Sequence, residues 1–188
     1  MKKSNLTWGH PITNEEMQKT IENKKPDLEE PLAAWVEIPG RIRNSLRDLN
    51  ESDLRLRGAS EGWSIRETVH HLVEANLVAS NMIIAAIATN GCDYDWTWVN
   101  PDKSWMRRVG YDRADVGLAI KTLQALCRYI SALVAAQPDA LARTVKLNDS
   151  PGAKRYAMTV EKILRQEVEH ANEHLGDIRD ARRLQSLQ

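Results

Sequence analysis

Apolar side chains recur every three or four residues through four long stretches of this chain, and no stretch alternates β-branched residues with polar ones. A chain patterned this way has to bury helical stripes against one another, which predicts an all-α fold. The stretches run from about Leu28 to Leu49, Ser64 to Thr89, Ala114 to Ala136 and Thr159 to Leu184. Four long amphipathic helices joined by substantial connectors predict an up-and-down four-helix bundle.

Within the first stretch Leu32, Trp35, Ile38, Ile42, Leu46 and Leu49 form one stripe, interrupted by Pro39-Gly40. A proline there removes a backbone hydrogen bond, so a kink or a restart is expected. The second helix has the clearest start: Ser64 followed by Glu67 forms a capping box, in which each side chain satisfies the other's backbone amide. Its stop is expected at Asn90-Gly91. Residues 1–27 are polar, with breakers at Pro11 and Pro26, and read as a peripheral arm; residues 28–188 read as the single bundle domain.

Lysine plus arginine and aspartate plus glutamate both total 26, for zero net charge. That balance argues against broad attraction to nucleic acid or to an anionic membrane. Two cysteines make no disulfide framework and suit a reducing compartment. No apolar run follows the basic start Met1-Lys2-Lys3, and Leu77 to Ala88 is too short to span a bilayer. A cytoplasmic protein is expected.

Facing follows from an advance of roughly 100° per residue. On the second helix Ile65, Val69, Leu72, Ala79, Ile83 and Ala86 define the apolar stripe; His71 falls roughly 100° from its centre, and His70 roughly 160°, on the solvated side. On the fourth helix, His170 and His174 lie on one flank of the stripe, and their i, i+4 spacing stacks the rings one turn apart. Two imidazoles so placed can reach one metal ion, with a third nitrogen from another helix, and His71 is the remaining inward histidine. Three neutral imidazoles suit zinc, nickel, iron or copper and leave coordination positions open. Spacing alone equally allows core or surface histidines with no metal.

The run Gly62-Trp63-Ser64-Ile65-Arg66-Glu67-Thr68-Val69-His70-His71-Leu72, with His170-x3-His174-x2-Asp177-Ile178 about a hundred residues later, resembles the DinB/YfiT-like family of metal-dependent enzymes. The run Ile38-Pro39-Gly40-Arg41-Ile42-Arg43 and the stretch from Tyr94 to Trp105 are similar to the YfiT branch. The similarity covers about residues 28–182. It implies a four-helix bundle with a divalent metal on three histidines, which map onto His71, His170 and His174. It also implies a homodimer and a small-molecule substrate, for the family includes bacillithiol-dependent transferases, a mycothiol-dependent isomerase and hydrolases. The expected function is therefore activation of water or a low-molecular-weight thiol against a small electrophile. The alternative is a non-catalytic, stress-related module in which the ion is structural. The sequence departs from the family pattern at Asp177, where glutamine is usual.

Glu167, one turn before His170, projects near the centre of the apolar stripe, where a carboxylate is costly unless paired. It could serve as a general base, orient a ligand histidine, or pair with an arginine of another helix. Cys127 among Leu123, Leu126 and Ile130 reads as a small core residue, and Cys92 as an unactivated loop thiol. The Trp-rich loop, with Trp96, Trp98 and Trp105, could wall a pocket; a cover for the bundle end or a dimer contact is the favoured expectation. Arg179, Arg182 and Arg183 suit the negative end of the last helix dipole.

Overall fold

The capping box sets the frame of the molecule. In the computed structural model the Ser64 hydroxyl accepts from the Glu67 amide at 3.2 Å, and the Glu67 carboxylate accepts from the Ser64 amide at 2.7 Å. Helix α2 (Ile65–Ala88) starts directly after it and ends at the Thr89 cap, with Gly91 at φ 78° turning the chain away. A cap of this kind contributes about 1 kcal/mol. Arg57 pairs with the same Glu67 carboxylate at 2.9 Å, tying the incoming connector to the helix start.

The structure describes residues 29–58, 62–99, 101–148 and 152–185. The arm expected over residues 1–27, and positions 149–151 of the loop before the last helix, lie outside the described residues. The other long helices are α1 (Glu29–Ser45), α4 (Val116–Ala135) and α5 (Val160–Gln185), close to the expected bounds. Helix α1 continues through Pro39 but stops at Ser45, short of Leu49. Its end is met by Arg182, whose guanidinium donates to the Ser45 carbonyl at 2.6 Å. That arginine therefore caps a neighbouring helix as well as suiting its own.

Helix α1 packs chiefly on α4 and α5, and α2 on the same two, so the order around the bundle is α1-α4-α2-α5. The first and second long helices thus face each other across one diagonal and the third and fourth across the other, while α2 lies beside both α4 and α5. Trp35, Ile38 and Ile42 from α1, Leu72 and Ile83 from α2, and Leu164 and Ile178 from α5 are almost wholly buried. Burying each such aliphatic side chain contributes about 1.5–3 kcal/mol. One polar link crosses this core: the Trp35 indole N–H donates to the fully buried Asn76 side chain, which itself donates to the Leu72 carbonyl at 2.8 Å. Helices α2 and α4 have the length and hydropathy of a bilayer span, and the apolar stripe of each lies against the bundle.

Two features depart from the sequence reading. The connectors contain a three-stranded sheet, β1 (Cys92–Asp95), β2 (Thr144–Asn148) and β3 (Tyr156–Thr159), in the order β1-β2-β3. Strand β1 runs parallel to β2, with Cys92 opposite Val145, and β3 is antiparallel to β2, with Leu147 opposite Tyr156. Val145 and Leu147 point inward and Lys146 outward. A strand of four or five residues shows too few alternations for a period to register.

The second departure lies in the connector after α2, where the Trp-rich stretch expected as a loop runs into a short helix, α3 (Lys103–Val109). Just beyond it, Tyr111 stacks on His70, ring centroids 5.0 Å apart at 12°. His70 is consequently buried, where the helical wheel had placed it in solvent. Facing arithmetic treats the side opposite the apolar stripe as wet; here a connector folds back and covers it.

Candidate metal centre

Because α2 and α5 are neighbours, His71 meets the pair on α5. The Nε2 atoms of His71 and His170 approach to 3.1 Å. Ring centroids lie 5.0 Å apart for His71 and His170, 5.1 Å for His71 and His174, and 4.7 Å for His170 and His174. One nitrogen from each of the three falls within 4.8 Å of the others. Metal–nitrogen bonds of about 2.0–2.1 Å opened by roughly 100° would span the 3.1 Å gap.

The electrostatics suit a cation. Burial, and then the two facing imidazoles, pushes the His71 pKa down to about 3, and His174 is lowered mainly by burial. Both are therefore neutral imidazoles with a lone pair to give. The Nδ1 of His174 lies 2.8 Å from the Asp177 carboxylate. A carboxylate only accepts, so Nδ1 carries the proton and Nε2 is left as the donor atom toward the cluster. Asp177, the departure from the usual glutamine, thus orients a member of the triad. Trp63 closes the group from the side, its ring 4.4 Å from His71 and 5.6 Å from His174. Its position follows directly from the cap, since it immediately precedes Ser64.

Beside the histidines opens a cavity of about 570 Å³ lined by His71 and Glu74 of α2, His170 and Glu167 of α5, and Trp96, Val99 and Pro101 of the connector. Leu147 and Met158 of the sheet complete one wall. Glu167 has no arginine partner among the described residues; its Oε2 is buried without a hydrogen bond and lies 4.0 Å from the His170 Nδ1. Cys127 is fully buried as expected, its pKa pushed up to about 12 by burial and then by Glu167. The Trp-rich segment divides its roles. Trp96 walls the cavity, Trp105 donates its indole N–H to Glu74 at 2.7 Å, and Trp98 is exposed. Cys92 sits in strand β1 rather than in a loop.

Glu74 and Tyr111 were not singled out from the sequence. Glu74 stands at i+3 from His71, on the same side one turn along, which is the signal that could have found it. Burial raises the Glu74 pKa, and Tyr111 beside it is pushed up to about 12 by burial and then by the Glu74 charge.

A helical bundle carrying three converging histidines beside a cavity defines the class of metal-site bundle proteins. The sequence model of the DinB superfamily matches residues 34–178, and the chain belongs to that superfamily. A protein of Oceanobacillus iheyensis that carries the name "putative metal-dependent hydrolase" is 25% identical over 146 residues, 76% of this chain and 78% of its own length. A Bacillus cereus protein of the same name is 28% identical over 58 residues, 29% of this chain and 34% of its own length. Among solved structures, YfiT from Bacillus subtilis superposes with a TM-score of 0.75 at 19% identity, covering 87% of this chain and 90% of YfiT. It is described as "a probable metal-dependent hydrolase with an unusual four-helix bundle topology". The mycothiol-dependent maleylpyruvate isomerase superposes with a TM-score of 0.58 at 12% identity, covering 80% of this chain and 60% of the isomerase. These two likenesses extend to the fold.

Proposed function

We propose that residues 28–188 form one metal-dependent enzyme domain in which His71, His170 and His174 hold a divalent transition ion, and that it hydrolyses a small electrophilic molecule. The observation that carries this reading is the convergence of three imidazoles beside a cavity that also presents a buried carboxylate oxygen without a hydrogen bond. Such an ion supplies Lewis acidity, polarising an electrophile and acidifying a nucleophile. The chain's own residues supply the rest. Glu167 accepts the nucleophile's proton, and Asp177 holds His174 in one tautomer. Trp96, Val99 and Met158 keep bulk water from the reacting end.

A purely structural ion would call for a fourth protein donor closing the site. Among the described residues no carboxylate or thiol joins the three nitrogens, which favours the reactive reading. Low-molecular-weight thiols remain the competing nucleophile to water, in keeping with the isomerase that shares the fold. The reducing cytoplasm suits a chain whose two cysteines, Cys92 and Cys127, are both free.

Elemental analysis of purified protein is expected to find about one equivalent of transition metal, and little in His174→Ala. Turnover of test esters and amides, with and without added thiol, is expected to depend on that metal. Glu167→Gln should keep the metal and lose about 10²–10⁴-fold in kcat. No gain of metal-loaded over metal-free protein in either assay refutes the enzyme reading.

A further inference from the structure

Buried polar atoms almost always find a partner, so a concentration of exceptions in one place points to a ligand. Among the described residues, four buried side-chain atoms without a hydrogen bond belong to the lining of the cavity: His71 Nδ1, Glu74 Oε2, Trp96 Nε1 and Glu167 Oε2. Two of the four are carboxylate oxygens, contributed by α2 and α5. The described lining contains no lysine or arginine to balance them; the remainder is chiefly apolar, with Ala79, Met82, Leu147 and Met158 among it. Glu74 is further held in place, since its other oxygen already accepts from Trp105 at 2.7 Å.

We propose that this cavity selects a small molecule with a largely apolar body and a protonated primary amine, the ammonium seated against Glu74, with the Glu167 charge adding to the attraction across the cavity, and the body against Met82, Trp96 and Met158. Glu74 is then the specificity-determining residue: its fixed carboxylate attracts an ammonium and repels a carboxylate or phosphate. The inference deepens the reading of the site as a metal-dependent hydrolase, because it names the substrate class of that cavity. Binding itself does not require the metal.

Calorimetric titration with three probes of one shape tests it: 3-phenylpropylamine, 3-phenylpropanol and 3-phenylpropanoate. The metal-loaded full chain is expected to bind the amine at least tenfold more tightly than the propanoate, with the alcohol between them. Glu74→Gln keeps an oxygen for Trp105 and should lower the amine-to-propanoate ratio at least fivefold while leaving the alcohol unchanged. Circular dichroism checks that the variant is folded, and Glu167→Gln provides a second variant with the same expected direction. A ratio below tenfold in the wild type, an unchanged ratio in both folded variants, or no binding of any probe overturns the proposal. Repeating the titrations on His174→Ala separates the two readings. If the amine preference persists in a wild type that holds no metal, the hydrolase reading fails and this one stands. If metal is bound and the preference is absent, this one alone fails.

Discussion

Acidifying the metal-free protein should destabilise it through His71, and by an amount the structure specifies. In the fold its pKa is pushed from 6.5 down to about 3, chiefly by burial and then by the two facing imidazoles. A group whose folded pKa is depressed contributes stability above its unfolded pKa and loses it as pH falls. The window is therefore from about pH 6.5 down to about pH 3. At about pH 4.5 the unfolded chain has bound this proton and the native chain has not, two pH units below the unfolded value, so the loss is roughly 2–3 kcal/mol. With a urea m-value of about 2 kcal/mol/M for a domain of this size, the midpoint should fall by roughly 1 M or a little more. The assay is urea unfolding followed by circular dichroism, on chelator-treated protein at about pH 7.5 and pH 4.5. His71→Leu removes the titrating group while keeping an apolar side chain at a buried position, so its midpoint should fall by roughly 1 M less between the two pH values. Carboxylates elsewhere titrate alike in both proteins and cancel in the comparison. Equal losses in wild type and variant would refute the claim that His71 is buried neutral against its partners.

Two further substitutions probe the frame of the site. Asp177→Asn replaces the acceptor on His174 with an amide that holds the ring less firmly, and should weaken metal affinity about 10–100-fold in a chelator competition, with the melting curve of the metal-free protein unchanged. Asn76→Ala leaves the Trp35 indole N–H buried without an acceptor and opens a small void in a fully buried position. It should cost about 2–4 kcal/mol in equilibrium unfolding, and a cost under about 1 kcal/mol would mean that the link is not formed in solution.

The long helices and the histidine triad were legible because each rests on a strong local signal. The capping box fixes where α2 begins, and with the start fixed, angular position along the helix decides that His71 and not His70 meets α5. The wheel could not tell that His70 would also be buried, because its cover comes from Tyr111, forty-one positions away and folded back by α3. The sheet was invisible for a different reason. Tyr156–Thr159 and Cys92–Asp95 each span four residues and owe their pairing to Val145 and Leu147 of β2, which are themselves anchored by the bundle. Glu167 was correctly read as a costly carboxylate, but its resolution in the cavity, rather than in an arginine pair, depends on which helices are neighbours.

Helix order also explains why the connectors hold the pieces that complete the site. In a ring of four helices in chain order, the second and fourth would face each other across the diagonal; here the first and second do, and so do the third and fourth. Joining diagonal partners requires connectors that cross an end of the bundle, and parallel pairing of β1 with β2 likewise requires a long crossover, supplied here by α3 and α4. Those crossings bring Trp96, Val99, Leu147 and Met158 over the gap between α2 and α5, where the histidines meet. The same topology that sets His71 beside His170 therefore supplies the apolar wall. This coupling predicts where variation is tolerated. Shortening the connector within 96–101 should leave the bundle and the His71–His170 approach intact, since neither depends on those residues, while exposing the cavity to solvent. Metal content would then be retained and the apolar probes would bind at least tenfold more weakly. Loss of metal in a folded protein shortened in this way would show that the wall and the triad are not separable in the way the packing implies.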